Sequence, residues 1–285
     1  MLNKYCPICM KKLSIGLKSW HFICLQCHYE GSNLETKINE KSLDNTIDEN
    51  SRKSGLRDLR IFNFKKLLLK IKSLVSFQTK LLDVGSAHGW FLNEAQNDFN
   101  VCGIEPDRSM FEKVLSIGLP VRFGYFPQVL EKNEKFDIIV FNDVIEHIPD
   151  VNNILDSCRN HLNINGLLVL NLPNTNGIFY IISKILCKCG FYGMFERLWQ
   201  KDYPSPHLHY FNKRNLVKLL TKKKFVIRSK GSLRTLLYSE IYNRISHTND
   251  LSLITASIIY LGVLIFLPLL KVMPPDIIYI ISEKK

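Results

Sequence analysis

The sequence lacks several features that define non-globular chains. It contains no internal repeat and no low-complexity tract, which excludes solenoid proteins and most disordered chains. No apolar leader follows Met1, so we expect a protein that is not secreted and whose cysteines are reduced. Charged residues are absent from residues 251–270. Acids are scarce over residues 211–247, where Glu240 is the single acid beside ten Lys and Arg.

The composition is that of a folded protein with an excess of positive charge. Of 285 residues, 46% are hydrophobic and 22% are charged, and this length suffices for one large domain with a small appendage. The formal net charge of +12 indicates an anionic partner, either nucleic acid or a membrane surface. The alternative is that the basic cluster at 211–247 is simply a solvated face.

Four cysteines near the N-terminus have the spacing of metal ligands. Cys6 and Cys9 form one C-x2-C pair, and Cys24 and Cys27 form a second. Each pair brings two sulfurs to one tight turn, and two such turns complete a tetrahedral thiolate site for a structural Zn²⁺. Because about thirty residues cannot bury a core of their own, metal binding would supply the missing free energy. We therefore predict a zinc ribbon over residues 1–30.

The rest of the chain alternates between apolar strands and amphipathic helices. A polar stretch, residues 31–57, is predicted to be a linker. Buried strands are predicted at 80–84, 101–105, 136–142, 166–172, 225–230 and 276–282. Helices are predicted near 58–76, 88–98, 107–117, 150–162 and 212–223. This alternation predicts an α/β domain over residues 58–285, doubly wound around a mostly parallel sheet, with apolar insertions at about 174–206 and 232–275.

A strand followed by a glycine turn predicts a nucleotide site. In LLDVGSAHGWFL (81–92), Gly85 and Gly89 let the backbone pass close to a ligand, and the helix N-terminus that follows favours an anionic group. Glu105 ends the next strand about twenty residues on, where a carboxylate can accept both ribose hydroxyls. Two features favour S-adenosylmethionine over a dinucleotide. Asp83 precedes the first glycine, and the third glycine of the dinucleotide fingerprint is missing.

Four segments, in the order DVGSAHGWFL, GIEPD, FDIIVFNDVIEHIPD and LNINGLLVLNLPN, resemble class I S-adenosylmethionine-dependent methyltransferases. The likeness is strongest to the ubiquinone-biosynthesis O-methyltransferases and to their relatives in cell-surface polysaccharide clusters. The resemblance implies a Rossmann-like, seven-stranded sheet and an enzyme of the cytoplasm. It also implies which residues bind the cofactor: Asp83, Gly85 and Gly89 hold its methionine end, and Glu105 holds the ribose. Ser86 of the same loop is a further cofactor-binding candidate, and Asn142 and Asp143 lie beside the transferring methyl group.

Two positions depart from the family pattern. Ala87 stands where the family usually has a second glycine, which would narrow the loop. No acid follows the third strand to hold the adenine amine. Tyr125 or Phe126 would contact the adenine ring instead, the alternative being that they are ordinary core residues.

Polar residues after the strand FDIIVFN are the candidate catalytic group. Methyl transfer from a sulfonium requires alignment of donor and acceptor and, for a hydroxyl acceptor, removal of a proton. Asp143, Glu146 and His147 follow that strand at the sheet edge where ligands bind. By the resemblance, all three would hold Mg²⁺ near the acceptor. Alternatively, His147 is a base, or Glu146 and His147 only bond loop backbone. His207 and His209 share one face of an extended segment and are candidates for lining the acceptor pocket, the alternative for His209 being that it is a packing residue.

The apolar segment 251–270 has three interpretations, because it is long enough to span a membrane but can also lie on its surface or pack on the protein. A single span would leave the last predicted strand, DIIYIIS, on the side away from the cofactor. A peripheral position at the inner face of the membrane is therefore favoured, and the basic stretch upstream would attract anionic headgroups.

Together these features predict an O-methyltransferase that acts on a hydroxyl of a small or lipid-linked acceptor, such as a glycan intermediate or a quinone-like compound. The alternative is an rRNA base methyltransferase with a zinc module, because positive charge also suits phosphates. Against it, LNLPN does not match the Asn/Asp-Pro-Pro-aromatic motif of enzymes that methylate amino groups. A non-catalytic assembly protein is disfavoured because Asp83, Gly85, Gly89 and Glu105 are all intact.

Overall fold

The computed structural model describes residues 5–38, 49–75, 79–236 and 273–285. In these ranges the strands are β1 Ser14–Ile15, β2 His21–Ile23, β3 Glu30–Ser32, β4 Lys80–Val84, β5 Asn100–Glu105, β6 Val121–Phe123, β7 Phe136–Asn142, β8 Leu162–Pro173, β9 His209–Tyr210, β10 Phe225–Leu233 and β11 Ile277–Lys284. The helices are α1 Glu49–Lys72, α2 Trp90–Ala95, α3 Arg108–Ser116, α4 Val151–His161, α5 Ile178–Lys188, α6 Gly193–Leu198 and α7 Lys213–Lys222, and a 3₁₀ turn spans Ile145–His147.

A seven-stranded sheet lies at the centre of the large domain, in the order β10-β11-β8-β7-β4-β5-β6. The strands from β8 to β6 run parallel, whereas β11 pairs antiparallel with both β8 and β10. Continuous apolar runs such as FDIIVFN in β7 suit strands that are buried on both faces. The predicted doubly wound, mostly parallel, seven-stranded α/β fold is confirmed.

The helices begin where the sequence supplies caps. The side chains of Asp107 and Asp150 accept backbone N–H groups at the starts of α3 and α4, and Asn212 forms a capping box with Asn215 at the start of α7. Helix α1 begins at Glu49, nine residues before the predicted start at 58. Once an amphipathic helix is nucleated, extending it into a neighbouring polar stretch costs little, so part of the predicted linker is helical.

Apolar side chains pack on both faces of the large sheet. Successive strand residues point to opposite sides, so Leu82 and Phe141 pack toward α4 and α7, while Leu81 and Val140 pack with Leu67 of α1. All five of these side chains are fully buried. The sheet is therefore held rigidly, and polar groups that follow its strands are fixed in position.

The N-terminal module is joined to the large domain by backbone pairing. Strands β1, β2 and β3 form an antiparallel sheet, and β3 continues onto β9, with Gly31 opposite His209. The insertion predicted at 174–206 contains α5 and α6. Its buried Tyr180 and Trp199 belong to a cluster against which Trp20 of the module packs. The module and the insertion therefore share a small core.

Within the four described ranges, no helix is long and apolar enough to cross a membrane. The apolar segment 251–270 lies outside those ranges.

Candidate active site and four-cysteine centre

The loop after β4 forms the first half of a ligand site at the carboxyl edge of the sheet. Gly85 and Gly89 have φ angles of 74° and 71°, in the left-handed region that favours glycine. A Cβ on Gly85 would lie 2.6 Å from a methyl carbon of Val144, so this position also needs the missing side chain. Ala87 has a φ of 46°, which costs an L-residue about 1–2 kcal/mol. The loop thus follows a glycine-like path although one family glycine is absent.

Glu105, at the end of β5, faces this loop. One of its carboxylate oxygens accepts the N–H of Ala87 at 2.7 Å, and the other accepts the N–H of Asp107 at 2.8 Å. Burial raises the pKa of Glu105, while the two backbone donors lower it. Because a carboxylate has about four acceptor sites, Glu105 keeps capacity for further donors. A buried acceptor held in this way is what the predicted ribose contact requires.

Ser86 carries a buried polar atom that the protein itself does not satisfy. Its Oγ is enclosed and has no hydrogen-bond partner in the described part of the chain. Leaving a buried hydroxyl unpaired costs about 1–3 kcal/mol, so a ligand that pairs with it would be favoured. Together with the glycine path and Glu105, this orphaned hydroxyl fits the polar groups of S-adenosylmethionine.

Asp83 and Asn142 meet at the ends of β4 and β7. The amide nitrogen of Asn142 donates to Asp83 at 3.4 Å. Burial raises the pKa of Asp83 to about 7, Asn142 lowers it and the charge of Glu105 raises it. Asn171 of β8 donates in turn to Asn142 at 3.5 Å, and its own Oδ1 has no partner among the described residues. Sequence reasoning missed Asn171, although its register beside Asn142 was a usable signal.

Three of the predicted residues converge beyond β7. The ligand atoms of Glu146, His147 and His207 all lie within 4.8 Å of one another. Glu146 is 1% exposed, and neither of its oxygens has a hydrogen-bond partner in the described ranges. Burial, and then the charge of Asp143, raise the pKa of Glu146 well above its usual range. A cation among the three side chains would satisfy this carboxylate, so the donor set fits a metal ion.

The imidazole of His147 is held by backbone. Its Nδ1 lies 2.9 Å from the carbonyl oxygen of Pro206, so Nδ1 carries the proton and Nε2 presents its lone pair. The rings of His147 and His207 meet edge to face, with centroids 4.7 Å apart. Burial lowers the pKa of His147 to about 4. The ring is therefore neutral at pH 7, which suits a metal ligand better than a general base.

Asp143 and His209 are not members of this group of three. Asp143, with a φ of 54°, forms an ion pair with Arg60 of α1 at 3.6 Å. Arg60 was not predicted, because no local pattern in α1 reveals a partner more than eighty residues away. His209 is buried, donates from Nε2 to the carbonyl oxygen of Ile148 at 2.8 Å and bonds the Tyr29 hydroxyl through Nδ1. It is a packing and hydrogen-bonding residue, as in the alternative interpretation.

The two aromatic candidates for adenine differ in exposure. Phe126 is buried and packs edge to face on Phe141, with centroids 5.8 Å apart, so the core interpretation holds for it. Tyr125 is 51% exposed. Only the tyrosine ring is accessible to a ligand.

A cavity of about 480 Å³ adjoins His207. Its walls come from the insertion and from the ends of β8 and β11, and they include Phe179, Tyr180, Leu198, Gln200, Tyr210 and Asp276. A smaller cavity of about 150 Å³ has Asp143 and Asn171 in its wall, and the two cavities share Thr235 and Ile277. A path of cavities therefore runs along the carboxyl edge of the sheet, the usual ligand edge of this architecture.

The four N-terminal cysteines bring their sulfur atoms together. The Sγ atoms of Cys6 and Cys27 are 3.4 Å apart, as are those of Cys9 and Cys24, and Cys9 and Cys27 are 3.8 Å apart. Zinc–sulfur bonds of about 2.3 Å put the sulfurs of a tetrahedral site about 3.8 Å apart. All four are free thiols. The donor set and its dimensions fit a structural Zn²⁺.

Comparison with known sequences identifies the class of protein. Residues 47–230 match a family model described as a methyltransferase domain. The ubiquinone biosynthesis O-methyltransferase of Paramagnetospirillum magneticum is 35% identical over 96 residues, which cover 31% of this chain and 38% of the relative. The ubiquinone biosynthesis O-methyltransferase of Glaesserella parasuis is 41% identical over 49 residues, which cover 17% of this chain and 21% of the relative. The chain thus spans well under half the length of these two relatives.

Solved structures share the fold at low sequence identity. An S-adenosylmethionine-dependent methyltransferase from Thermotoga maritima aligns with a TM-score of 0.53 and 16% identity, covering 84% of this chain and 96% of that one. Since the family model covers more than half of the sequence, the chain belongs to the methyltransferase-domain family. The prediction of an S-adenosylmethionine-dependent methyltransferase is confirmed at the level of this family.

Proposed function

We propose that the protein transfers a methyl group from S-adenosylmethionine to a hydroxyl group of a small or lipid-linked acceptor, such as a glycan intermediate or a quinone-like compound. The observation that carries this proposal is the convergence of Glu146, His147 and His207. The turn that carries Glu146 and His147 follows Val144, which packs on Gly85 of the cofactor loop. A metal-binding group at that edge suits a hydroxyl, whose proton must leave as the methyl group arrives. The curated relatives are O-methyltransferases, which supports the same acceptor atom.

The donor set favours a transition metal over the Mg²⁺ suggested by the resemblance. One carboxylate and two imidazoles are a donor set typical of divalent transition ions, whereas Mg²⁺ prefers oxygen ligands. Asp143 is paired with Arg60 and is not a member of the set. When bound, such an ion would lower the pKa of a coordinated hydroxyl.

The chain's own residues divide the work of the reaction. Glu105 and Ser86 would hold the nucleoside side of the cofactor, and Asp83 its cationic amino-acid end. Asn142 links Asp83 to Asn171, which lies in the wall of the smaller cavity, and the two amides would orient the acceptor. S-adenosylmethionine supplies an activated methyl group when bound. The protein contributes alignment of the two reactants, which accounts for much of the rate of a displacement reaction.

The insertion supports an acceptor that comes from a membrane surface. The inner face of α5 and α6 supplies Tyr180 and Leu198 to the large cavity. The outer face exposes Ile185 and, just after α5, Phe191 to solvent, with the exposed cation Lys188 between them in the sequence. Apolar side chains with neighbouring cations are typical of contacts with anionic lipid. One element would thus bind the lipid surface and form a wall of the acceptor cavity.

We further propose that residues 1–30 are a zinc ribbon and residues 58–285 the methyltransferase domain. The sulfur geometry supports the ribbon, and the family match supports the catalytic domain.

Methyl-labelled S-adenosylmethionine tests the acceptor class directly. Purified protein is incubated with labelled cofactor and with a lipid extract, an aqueous metabolite extract or ribosomal RNA from the same cells. We expect label in the lipid extract, or in the aqueous extract if the acceptor is a free small molecule. Label in RNA alone would overturn the proposal and favour the rRNA methyltransferase.

Metal analysis tests the group of three. After equilibration with Co²⁺, wild-type protein should hold one more equivalent of cobalt per chain than the Glu146→Gln or the His207→Ala variant. The exposed acid Glu131 provides a control, since Glu131→Gln should keep the full complement. Equal cobalt content in wild type and both site variants would remove the metal from the proposal.

Liposome flotation tests the outer face of the insertion. Vesicles with anionic lipid should bind wild-type protein, and Ile185→Asp or Phe191→Asp should weaken binding about tenfold through lost apolar burial. Ile164 is 79% exposed at the opposite end of β8, so Ile164→Asp is a matched control that should bind normally. Equal binding of all three variants would exclude this face as the membrane contact.

A further inference from the structure

The second cysteine pair is linked to the active-site turn by a short chain of hydrogen bonds. Tyr29 lies two residues after Cys27 and is completely buried. Its hydroxyl bonds Nδ1 of His209, and Nε2 of His209 donates to the carbonyl oxygen of Ile148 at 2.8 Å. Because a carbonyl can only accept, the proton of His209 is on Nε2, and Tyr29 must therefore donate to Nδ1. Ile148 directly follows the turn that carries Glu146 and His147.

The backbone of the same segment is held on both sides. Toward the module, the hydroxyl of Ser32 donates to the carbonyl oxygen of His207 at 2.7 Å. The backbone N–H of Ser32 donates to the carbonyl oxygen of Leu208 at 3.0 Å. Toward the turn, the N–H of Leu208 donates to the carbonyl oxygen of Glu146 at 2.8 Å. Residues 207–209 therefore form a layer between strand β3 and the 3₁₀ turn.

A buried carboxylate connects the module to the wall of the large cavity as well. Glu30 bonds His21 at 2.8 Å within the module, and it accepts the hydroxyl of Tyr180 at 2.6 Å and the ammonium of Lys184 at 2.8 Å from α5. Tyr180 lines the cavity beside His207.

We propose that the four-cysteine module positions the acceptor side of the active site, with Tyr29 and His209 as its positioning residues. They fix the turn that presents Glu146 and His147. The cofactor side lacks this hydrogen-bonded support. In the described ranges, no hydrogen bond joins residues 5–38 to Gly85, Ser86, Ala87 or Glu105. The module is thus hydrogen-bonded to the acceptor half of the site, whereas it shares an apolar cluster with Val84 and Ile104 of the cofactor strands.

Hydrogen exchange on the full-length protein tests this division without knowledge of the acceptor. Tyr29→Phe removes only the donor to His209. We expect the amides of His147, Ile148 and Leu208 to exchange about tenfold faster, as for one lost buried hydrogen bond, while amides at 85–93 are unchanged. Tyr279 is buried in β11 on the other face of the sheet, so Tyr279→Phe serves as a matched control that should leave the turn unchanged.

A pair of substitutions at His209 separates positioning from simple stability. His209→Gln keeps one acceptor and one donor, whereas His209→Leu keeps neither. We expect the amides of the turn to exchange more slowly in His209→Gln than in His209→Leu. Affinity for S-adenosylhomocysteine should be the same in both. The proposal would be overturned if the amides of the turn exchanged equally fast in both variants. It would also be overturned if the affinity for S-adenosylhomocysteine fell by the same factor as exchange in the turn increased. A missing metal at Glu146 would overturn the proposed metal site but would not change this result.

Discussion

The amide of Asn142 donates to the carboxylate of Asp83 across 3.4 Å, and this contact joins the strand that begins the cofactor loop to the strand that leads to Glu146. Asp83 is 1% exposed, and burial raises its pKa to about 7 although Asn142 lowers it. A carboxyl group with this pKa changes its charge within the physiological range. Its ionisation should therefore govern how well the site accepts a cationic amino-acid group.

Cofactor affinity should rise with pH through the pKa of Asp83. The ionised carboxylate attracts the ammonium group of the ligand, whereas the protonated form does not, so binding of S-adenosylhomocysteine should tighten several-fold from pH 6 to pH 8. Calorimetry at a series of pH values measures the change. The pKa of His147 and that of His209 are each lowered by burial to about 4, so these side chains do not titrate in this window.

Asp83→Asn is the control, because it should bind S-adenosylhomocysteine weakly and without this pH dependence. If the affinity for S-adenosylhomocysteine depended on pH equally steeply in wild type and in Asp83→Asn, the result would contradict the proposed role of Asp83 in binding.

The raised pKa of Asp83 also has a consequence for the stability of the folded protein. The pKa of Asp83 is higher in the folded protein than its usual value of 3.8. Its contribution to stability is therefore fully present below about pH 4 and is lost as the pH rises toward 7.

Ser86→Ala should weaken cofactor binding without lowering the stability of the free protein. Without ligand, the Ser86 hydroxyl is buried and unpaired in the described part of the chain, so removing it should leave the melting temperature unchanged or raise it. With ligand, the hydroxyl gains a partner, and its loss should weaken S-adenosylhomocysteine binding by about 0.5–1.5 kcal/mol. Thermal shift and calorimetry on the same sample measure both. Unchanged affinity would exclude Ser86 from the cofactor site.

Loss of the four-cysteine centre should destabilise the whole protein. Cys24→Ser should remove one equivalent of zinc and lower the melting temperature by roughly 5 °C or more, because β3 pairs with β9 of the catalytic domain. Cys189 is an exposed free thiol outside the centre, so Cys189→Ser is the matched control. Wild-type protein without zinc, or an unchanged melting temperature in Cys24→Ser, would argue against a structural metal.

Glu134 should stabilise the protein at neutral pH and not in strong acid. It accepts two hydrogen bonds from Arg122 and one from Lys80, and Arg122 is the main reason that its pKa is lowered to about 2. Because the pKa in the unfolded chain is near 4.5, this stability is present above that pH and is lost as the pH falls through 2.

Glu134→Gln should therefore cost about 1–2 kcal/mol at pH 7, a modest value because both cations are partly exposed. The difference from wild type should disappear near pH 2. Urea unfolding at several pH values measures it. A penalty that is constant with pH would mean that packing, rather than charge, explains the effect.

The strands of the large sheet could be predicted because their signal is local. FDIIVFN is a continuous apolar run, and β7 spans that run from Phe136 to Asn142. The boundary of α1 was missed, because residues that favour a linker also tolerate a helix once it is nucleated. The short strand β9 was missed as well, since its pairing with β3 joins residues far apart in the sequence.

The candidate site also contains residues that local sequence signals predict and residues that only the tertiary fold brings together. Gly85, Gly89 and Glu105 follow from spacing along adjacent strands, and the structure brings them to one loop. Grouping His207 with Glu146 could not be predicted, because their approach depends on how the insertion folds back onto the turn. Contacts of that kind are set by tertiary packing and leave no periodic pattern.

Calorimetric titration with S-adenosylhomocysteine tests the central claim, that this site binds S-adenosylmethionine. We expect wild-type protein to bind one equivalent, and Glu105→Ala to weaken binding by about 1.5–3 kcal/mol, as for a lost charge-assisted hydrogen bond. Glu112, which is 60% exposed on α3, provides the control, and Glu112→Ala should bind as wild type does. Absence of binding to wild-type protein, or equal affinity in wild type and Glu105→Ala, would contradict the account.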